Sequence, residues 1–132
     1  MERTLLIVKP DAVKRNLIGY IIVRLNRAGY NIAEMRMERL STEKAREFYA
    51  VHEGKPFLDS LVEYMASDRI VAIMLEKENA VSDLRKLIGA TNPDNADCGT
   101  LRQEIALNVQ ENSVHASDSV ENAAVELNFF FG

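Results

Sequence analysis

The sequence has a single cysteine, Cys98, among 132 residues. An intrachain disulfide and a cysteine-built zinc cluster are thereby excluded, and the isolated thiol reads as an inert loop side chain. No apolar stretch approaches the roughly 20 residues that span a bilayer, so no membrane span is expected. Net positive charge is also lacking: 16 Lys and Arg stand against 20 Asp and Glu, a formal charge of −4. Basic-patch binding of extended polyanions is disfavoured, and any phosphate site must be a local concentration of cations. There is no internal repeat and no low-complexity segment. A chain of this length fits one domain, expected over residues 1–132, whose core needs neither disulfide nor structural metal. Met1-Glu2-Arg3-Thr4 runs into a strand-like segment without an apolar signal region. A cytoplasmic location is the default expectation.

Common catalytic signatures are missing as well. Gly54-Lys55 looks like the end of a P-loop, but Tyr49 stands at the upstream glycine position and Pro56 at the hydroxyl position. H-E-x-x-H, C-x-x-C, G-x-S-x-G and a glycine-rich dinucleotide fingerprint do not occur. Histidine is left as the main candidate nucleophile.

Leu5 to Val8 is an apolar run suited to a central strand covered on both faces, ended by Lys9-Pro10-Asp11. Ile18, Ile21, Ile22, Leu25 and Ala28 recur at helical spacing before a Gly29 stop. From Asn31 to Leu40 the pattern alternates, with Ala33, Met35 and Met37 against Glu34, Arg36 and Glu38, which predicts a strand with one wet face. Ser41 caps a helix carrying Ala45, Phe48 and Tyr49, and Pro56 suits the first turn of another carrying Leu58, Leu61, Val62 and Met65. Ile70 to Leu75 reads as a second buried strand, and Asn79 as the cap of a helix ended by Gly89. Residues 90–113 read as a long functional loop. A short strand over Val114 to Ser117 and a helix from about Ser119, with Ala123, Ala124, Leu127 and Phe130 as its apolar set, complete the order. That order fits an α+β, ferredoxin-like βαββαβ sandwich. Its four-stranded antiparallel sheet would carry an added helical hairpin and a C-terminal helix.

Glu111-Asn112-Ser113-Val114-His115-Ala116-Ser117-Asp118-Ser119 sets a histidine among short polar side chains at the mouth of a helix. A nucleophilic imidazole needs one nitrogen with a free lone pair and an acceptor for the proton on the other. Glu126, two turns into the next helix and off its apolar face, is a candidate acceptor. Spacing alone leaves His115 open between a nucleophile and a hydrogen-bonded structural histidine.

Asn112-x-x-His115-Ala116-Ser117-Asp118 resembles the active-site signature of nucleoside diphosphate kinases. Glu2-Arg3-Thr4, Lys9-Pro10-Asp11-Ala12, Phe48-Tyr49-x-x-His52, Lys55-Pro56-Phe57, Leu61-Val62-Glu63, Gly89-Ala90-Thr91-Asn92-Pro93 and Gly99-Thr100-x-Arg102 follow in that family's order and spacing. The resemblance implies reversible ping-pong transfer of the γ-phosphate of a nucleoside triphosphate, mainly ATP, to a nucleoside diphosphate through phosphorylated His115. It further implies that Arg85, Thr91 and Arg102 grip the phosphates while His52 and Tyr49 add polar contacts near them. Ser117 and Glu126 would support the imidazole, and Lys9 and Asn112 would hold the sugar 3′-hydroxyl. Phe57 and Val109 would sandwich the base with little regard to its identity. Mg2+ would bridge phosphate oxygens with no direct protein ligand, Asp118 helping at most through water.

Ala116 stands where many members have glycine, and Ser67-Asp68-Arg69 and Gln103-Glu104-Ile105 depart from the family's loops. Many members also carry a longer tail that contributes to assembly. The resemblance implies a homo-oligomer built from dimers, a tetramer or a hexamer. Two other readings compete: a phosphohistidine carrier between proteins, and a ferredoxin-like module for single-stranded nucleic acid. The carrier has no use for Phe57, Thr91, Arg85 and Arg102 together. The nucleic-acid module needs a basic surface and strand aromatics, which this acidic sequence lacks.

Overall fold

In the computed structural model, which describes residues 1–132, Glu2–Val8 forms β1, with Leu5 to Val8 fully buried. A short helix α1 (Pro10–Lys14) and the longer α2 (Ile18–Arg27) lead to β2 (Asn31–Glu38). The hairpin of α3 (Thr42–Phe48) and α4 (Leu58–Met65) precedes β3 (Ile70–Lys77) and α5 (Ala80–Ile88). A further short helix α6 (Leu101–Ile105), then β4 (Val114–Ala116) and α7 (Val120–Phe131) follow. The sheet order is β2-β3-β1-β4 with every pair antiparallel. This is the expected ferredoxin-like α+β arrangement, with the hairpin and α7 added to it.

Alternation along β1 divides the core. Leu6 and Val8 face Ile21 and Leu25 of α2, Leu84 and Ile88 of α5 and Leu101 of α6. Leu5 and Ile7 face Ala45 of α3, Leu58, Val62 and Met65 of α4, and Leu127 and Phe130 of α7. A strand dry on both sides needs the continuous apolar run that this one has. No helix is long and apolar enough to cross a membrane.

Several local expectations need correction. Lys9-Pro10-Asp11 does end β1, but Pro10 then opens α1, its missing N–H costing nothing at a first helical position. Residues 90–113 are not one open loop: Thr100 accepts from the Gln103 N–H and starts α6. Pro56 lies ahead of α4, whose N-terminal flank is Phe57. Asn79 precedes α5 but does not cap it. Its backbone is left-handed, at φ 57°, and its amide donates to Asp83 instead. Ala124 is exposed on α7. The predicted dry face of β2 is absent, Ala33, Met35 and Met37 all being exposed. β2 is the sheet's edge, its register shifts between Ile32 and Glu34, and the helical layers leave most of it uncovered.

Candidate active site

His115 sits in β4 opposite Ile7 of β1. Its neighbours Val114 and Ala116 point into the α2/α5 layer, so the pleat sends His115 toward the other face, where α3 and α7 meet. There its Nε2 lies 2.9 Å from Glu126 Oε1, and Ser117 Oγ donates to the same oxygen at 2.7 Å. A carboxylate only accepts, so Nε2 carries the ring proton and Nδ1 keeps its lone pair. Nδ1 has no hydrogen-bond partner and opens on the cleft. The edges of Phe48 and Tyr49 meet the imidazole at ring separations of 5.4 and 6.3 Å. Ala116, where many family members have glycine, does not have a positive φ, so its methyl introduces no backbone strain.

The backbone around the histidine is held by arginines. Arg102 donates to the Val114 carbonyl at 2.7 Å, and Arg85 to the Ala116 carbonyl at 3.3 Å, so the carbonyls on both sides of His115 are engaged. Arg102 also donates to the Gly89 carbonyl at 3.1 Å. Gly89 ends α5 at φ 87°, and a Cβ there would lie 2.5 Å from Thr100 Oγ1, the oxygen that caps α6. The third cation, Lys9, leaves the end of β1 and donates to Asn112 Oδ1 at 2.8 Å. Burial, with the Arg102 charge beside it, lowers the Lys9 ammonium to about 7. Burial and Arg85 likewise lower Arg102 to about 10.

These groups line one cleft of about 760 Å³ with Tyr49, His52, Phe57, Thr91, Val109, Asn112 and Asp118. Of the expected residues only Ser117 is set behind the wall, fully buried against Glu126. Tyr49 and His52 stack at 6.1 Å, and Asn112 donates to the Thr91 carbonyl at 3.1 Å. His52 is held below its ordinary value by burial, Lys55 and His115, while burial beside Glu126 pushes the Tyr49 phenol up. Phe57 and Val109 are exposed at the mouth. The Asp118 carboxylate is kept ionised by the Asn122 amide, which donates at 2.6 Å, and by Ser119 and Arg85.

Four buried side-chain polar atoms lack a partner, and three of them, Tyr49 Oη, His52 Nδ1 and Arg102 Nε, belong to cleft residues. Since buried polar groups are nearly always satisfied, this concentration marks a wall built for a polar, anionic ligand. Sequence reasoning gave no role to Phe48, Gln110 or Asp11. Phe48 lies inside a quoted motif, and Gln110 accepts from Ser60 of α4 across the cleft mouth at 2.9 Å. Asp11 accepts from the Ser113 N–H at 3.2 Å and lies just after Lys9-Pro10.

The profile of the family described as Nucleoside diphosphate kinase matches residues 2–132. The chain belongs to the nucleoside diphosphate kinase family. It is 56% identical over 131 residues to the nucleoside diphosphate kinase of Chloroherpeton thalassium, covering 99% of this chain and 93% of that one. Identity to the enzyme of Chlorobium limicola is also 56%, with 99% and 94% covered. Among solved structures, the Aquifex aeolicus nucleoside diphosphate kinase superposes with a TM-score of 0.97 at 41% identity, over 99% of this chain and 95% of that one. The Halobacterium salinarum nucleoside diphosphate kinase, solved in complex with CDP, gives 0.95 at 38% identity, over 98% and 87%. Nucleoside diphosphate kinases are phosphotransferases, and so is this chain. A cleft that gathers three cations around one oriented histidine matches that chemistry.

Proposed function

We propose that His115 carries the phosphoryl group and that both half-reactions use this one cleft. His115 Nδ1 attacks the terminal phosphorus of a nucleoside triphosphate. A nitrogen–phosphorus bond forms, the bond to the β,γ-bridging oxygen breaks, and the diphosphate leaves with that oxygen. A second diphosphate then takes the group in the reverse sense. Glu126 holds the Nε2 proton throughout and stabilises the positive charge that the ring gains, with Ser117 fixing the carboxylate. The observation that carries this reading is the free Nδ1 of a ring pinned at Nε2, at the foot of a cationic cleft.

Arg85, Thr91 and Arg102 grip the phosphates, with Tyr49 and His52 supplying the unpartnered polar atoms beside them. Lys9 and Asn112, already bonded to each other, take the sugar 3′-hydroxyl. Phe57 and Val109 face the base through apolar surface alone, which tolerates every base and a range of sugars. The CDP held by the Halobacterium relative is in keeping with a pyrimidine in such a slot. ATP is the main donor.

No three His, Cys, Asp or Glu side chains are grouped to hold a metal. The residues present fit Mg2+ that would arrive with the nucleotide phosphates, and the Asp118 carboxylate on the cleft wall would help to hold it through water. The ion would neutralise phosphate charge while Arg85 and Arg102 orient the same oxygens. The uncovered edge of β2, with Met35 and Met37 exposed, supports pairing with a second copy in a dimer-built tetramer or hexamer. A cytoplasmic location fits these nucleotide substrates. Incubation with terminally labelled ATP should leave an acid-labile, base-stable adduct that several different diphosphates each remove. An adduct discharged by one diphosphate only would contradict the broad specificity.

A further inference from the structure

Directly before the strand that carries His115, the backbone makes a three-residue turn. The Val114 N–H donates to the Asn112 carbonyl at 2.9 Å, and Ser113 between them has φ 75°. A γ-turn of this hand is rare for a side chain with a Cβ and persists only where the surroundings impose it. One arm of the turn is Asn112, bonded to Lys9, and the other runs into His115. Its shape therefore sets the nucleophile and the Lys9–Asn112 pair together.

Ser113 bonds chiefly to Asp11. Its carboxylate is almost fully buried on α1 and accepts from the Ser113 N–H at 3.2 Å and from Ser113 Oγ at 2.8 Å. Tyr64 Oη donates to the Oδ1 that holds the Ser113 N–H, and Arg15 to Oδ2 at 2.9 Å, while the same arginine reaches the Ile105 carbonyl at 2.7 Å. The Ser113 carbonyl is taken by the Lys9 N–H at 2.9 Å. Every polar atom of Ser113 is thus tied to the segment that follows β1. Asp11, Arg15, Tyr64 and Ser113 all lie outside the lining of the nucleotide cleft, which of this set only Lys9 reaches.

We propose that Asp11 is a positioning residue for phosphoryl transfer, holding Ser113 in its strained turn so that His115 and the Lys9–Asn112 pair stay in register. This rests on His115 being the phosphoryl carrier. Asp11 touches neither nucleotide nor imidazole, and acts only through the turn.

The test is the first-order rate of His115 phosphorylation in a single turnover at saturating ATP, with folded protein quantified by circular dichroism. Ser113→Ala removes the clamped hydroxyl but keeps the conformational penalty, whereas Ser113→Gly removes the hydroxyl and the penalty together. Ser113→Ala should slow labelling about tenfold, and Ser113→Gly should return it to within about threefold of the native rate. Asp11→Asn should cost about tenfold in the native background but under about threefold beside Ser113→Gly, a non-additivity that a general loss of structure would not give. Equal rates for the two serine variants, or the same Asp11→Asn loss in both backgrounds, would overturn the proposal. If Asp11→Asn does not fold, the serine pair decides alone. Native chain that labels while the variants match it refutes the clamp only; native chain that never labels refutes the carrier histidine and this inference with it.

Discussion

Glu126 Oε1 of α7 lies 2.9 Å from His115 Nε2 of β4 and so joins a helix to the sheet inside the cleft. The carboxylate fixes the tautomer, and on the proposed mechanism it balances the imidazolium that forms when Nδ1 is phosphorylated. Glu126→Gln keeps the size but replaces a full negative charge with an amide. Turnover should fall roughly 10- to 100-fold, the scale on which outer partners of a reactive histidine count, while the adduct still forms. Steady-state kcat with single-turnover labelling checks this. Unchanged kcat would remove Glu126 from the reaction.

Lys9 gives the pH dependence. Its ammonium is lowered to about 7, first by burial and then by Arg102. Bound phosphate oxygens favour the charged form, so the lysine takes up a proton when nucleotide binds at a pH above that value. Affinity should be flat below pH 7 and fall roughly tenfold per unit above it, with uptake of about 0.9 proton at pH 8 and about 0.1 at pH 6. Calorimetry in buffers of different ionisation enthalpy counts these protons. Lys9→Arg, which stays charged, should abolish the uptake, and an undiminished uptake in that variant would assign the proton elsewhere.

At Gly89 fold and site meet. Its positive φ and the 2.5 Å approach of a Cβ to Thr100 Oγ1 mean that Gly89→Ala strains the end of α5 and displaces the cap of α6, which carries Arg102. A loss of about 1–3 kcal/mol of stability is expected. A lowered Tm together with a raised KM for nucleotide would bear this out, and a native Tm would not.

Phe57 is exposed at the cleft mouth, its ring centroid 5.2 Å from that of His52. Phe57→Ala should raise KM for purine and pyrimidine diphosphates alike, by a factor reflecting roughly 1–3 kcal/mol of lost stacking, with kcat less affected. A loss confined to one base would show base-edge recognition instead.

Much of this was legible in the sequence because its signals are local. The apolar run Leu5 to Val8 can only be a strand dry on both faces, and the helical spacing of Ile18 to Ala28 buries one side. The family resemblance in turn named Lys9, His52, Arg85, Thr91, Arg102 and His115, all of which line the cleft. What stayed hidden depended on distant partners. β2 alternates like a half-buried strand, yet its edge position leaves Met35 exposed, and edge position is a property of topology. The helix over Leu101–Ile105 had a readable start in Thr100-x-x-Gln103, a capping pattern obscured by the surrounding Gly and Asn. Asp11 meets Ser113 across 102 positions of chain, so no spacing rule could pair them.

The most direct test compares the native chain with His115→Ala after incubation with terminally labelled ATP. The native protein should hold label that is lost in acid, kept in base and discharged by added diphosphate. The variant should bind nucleotide with near-native affinity and hold none. Covalent label retained by the His115→Ala protein would contradict the account.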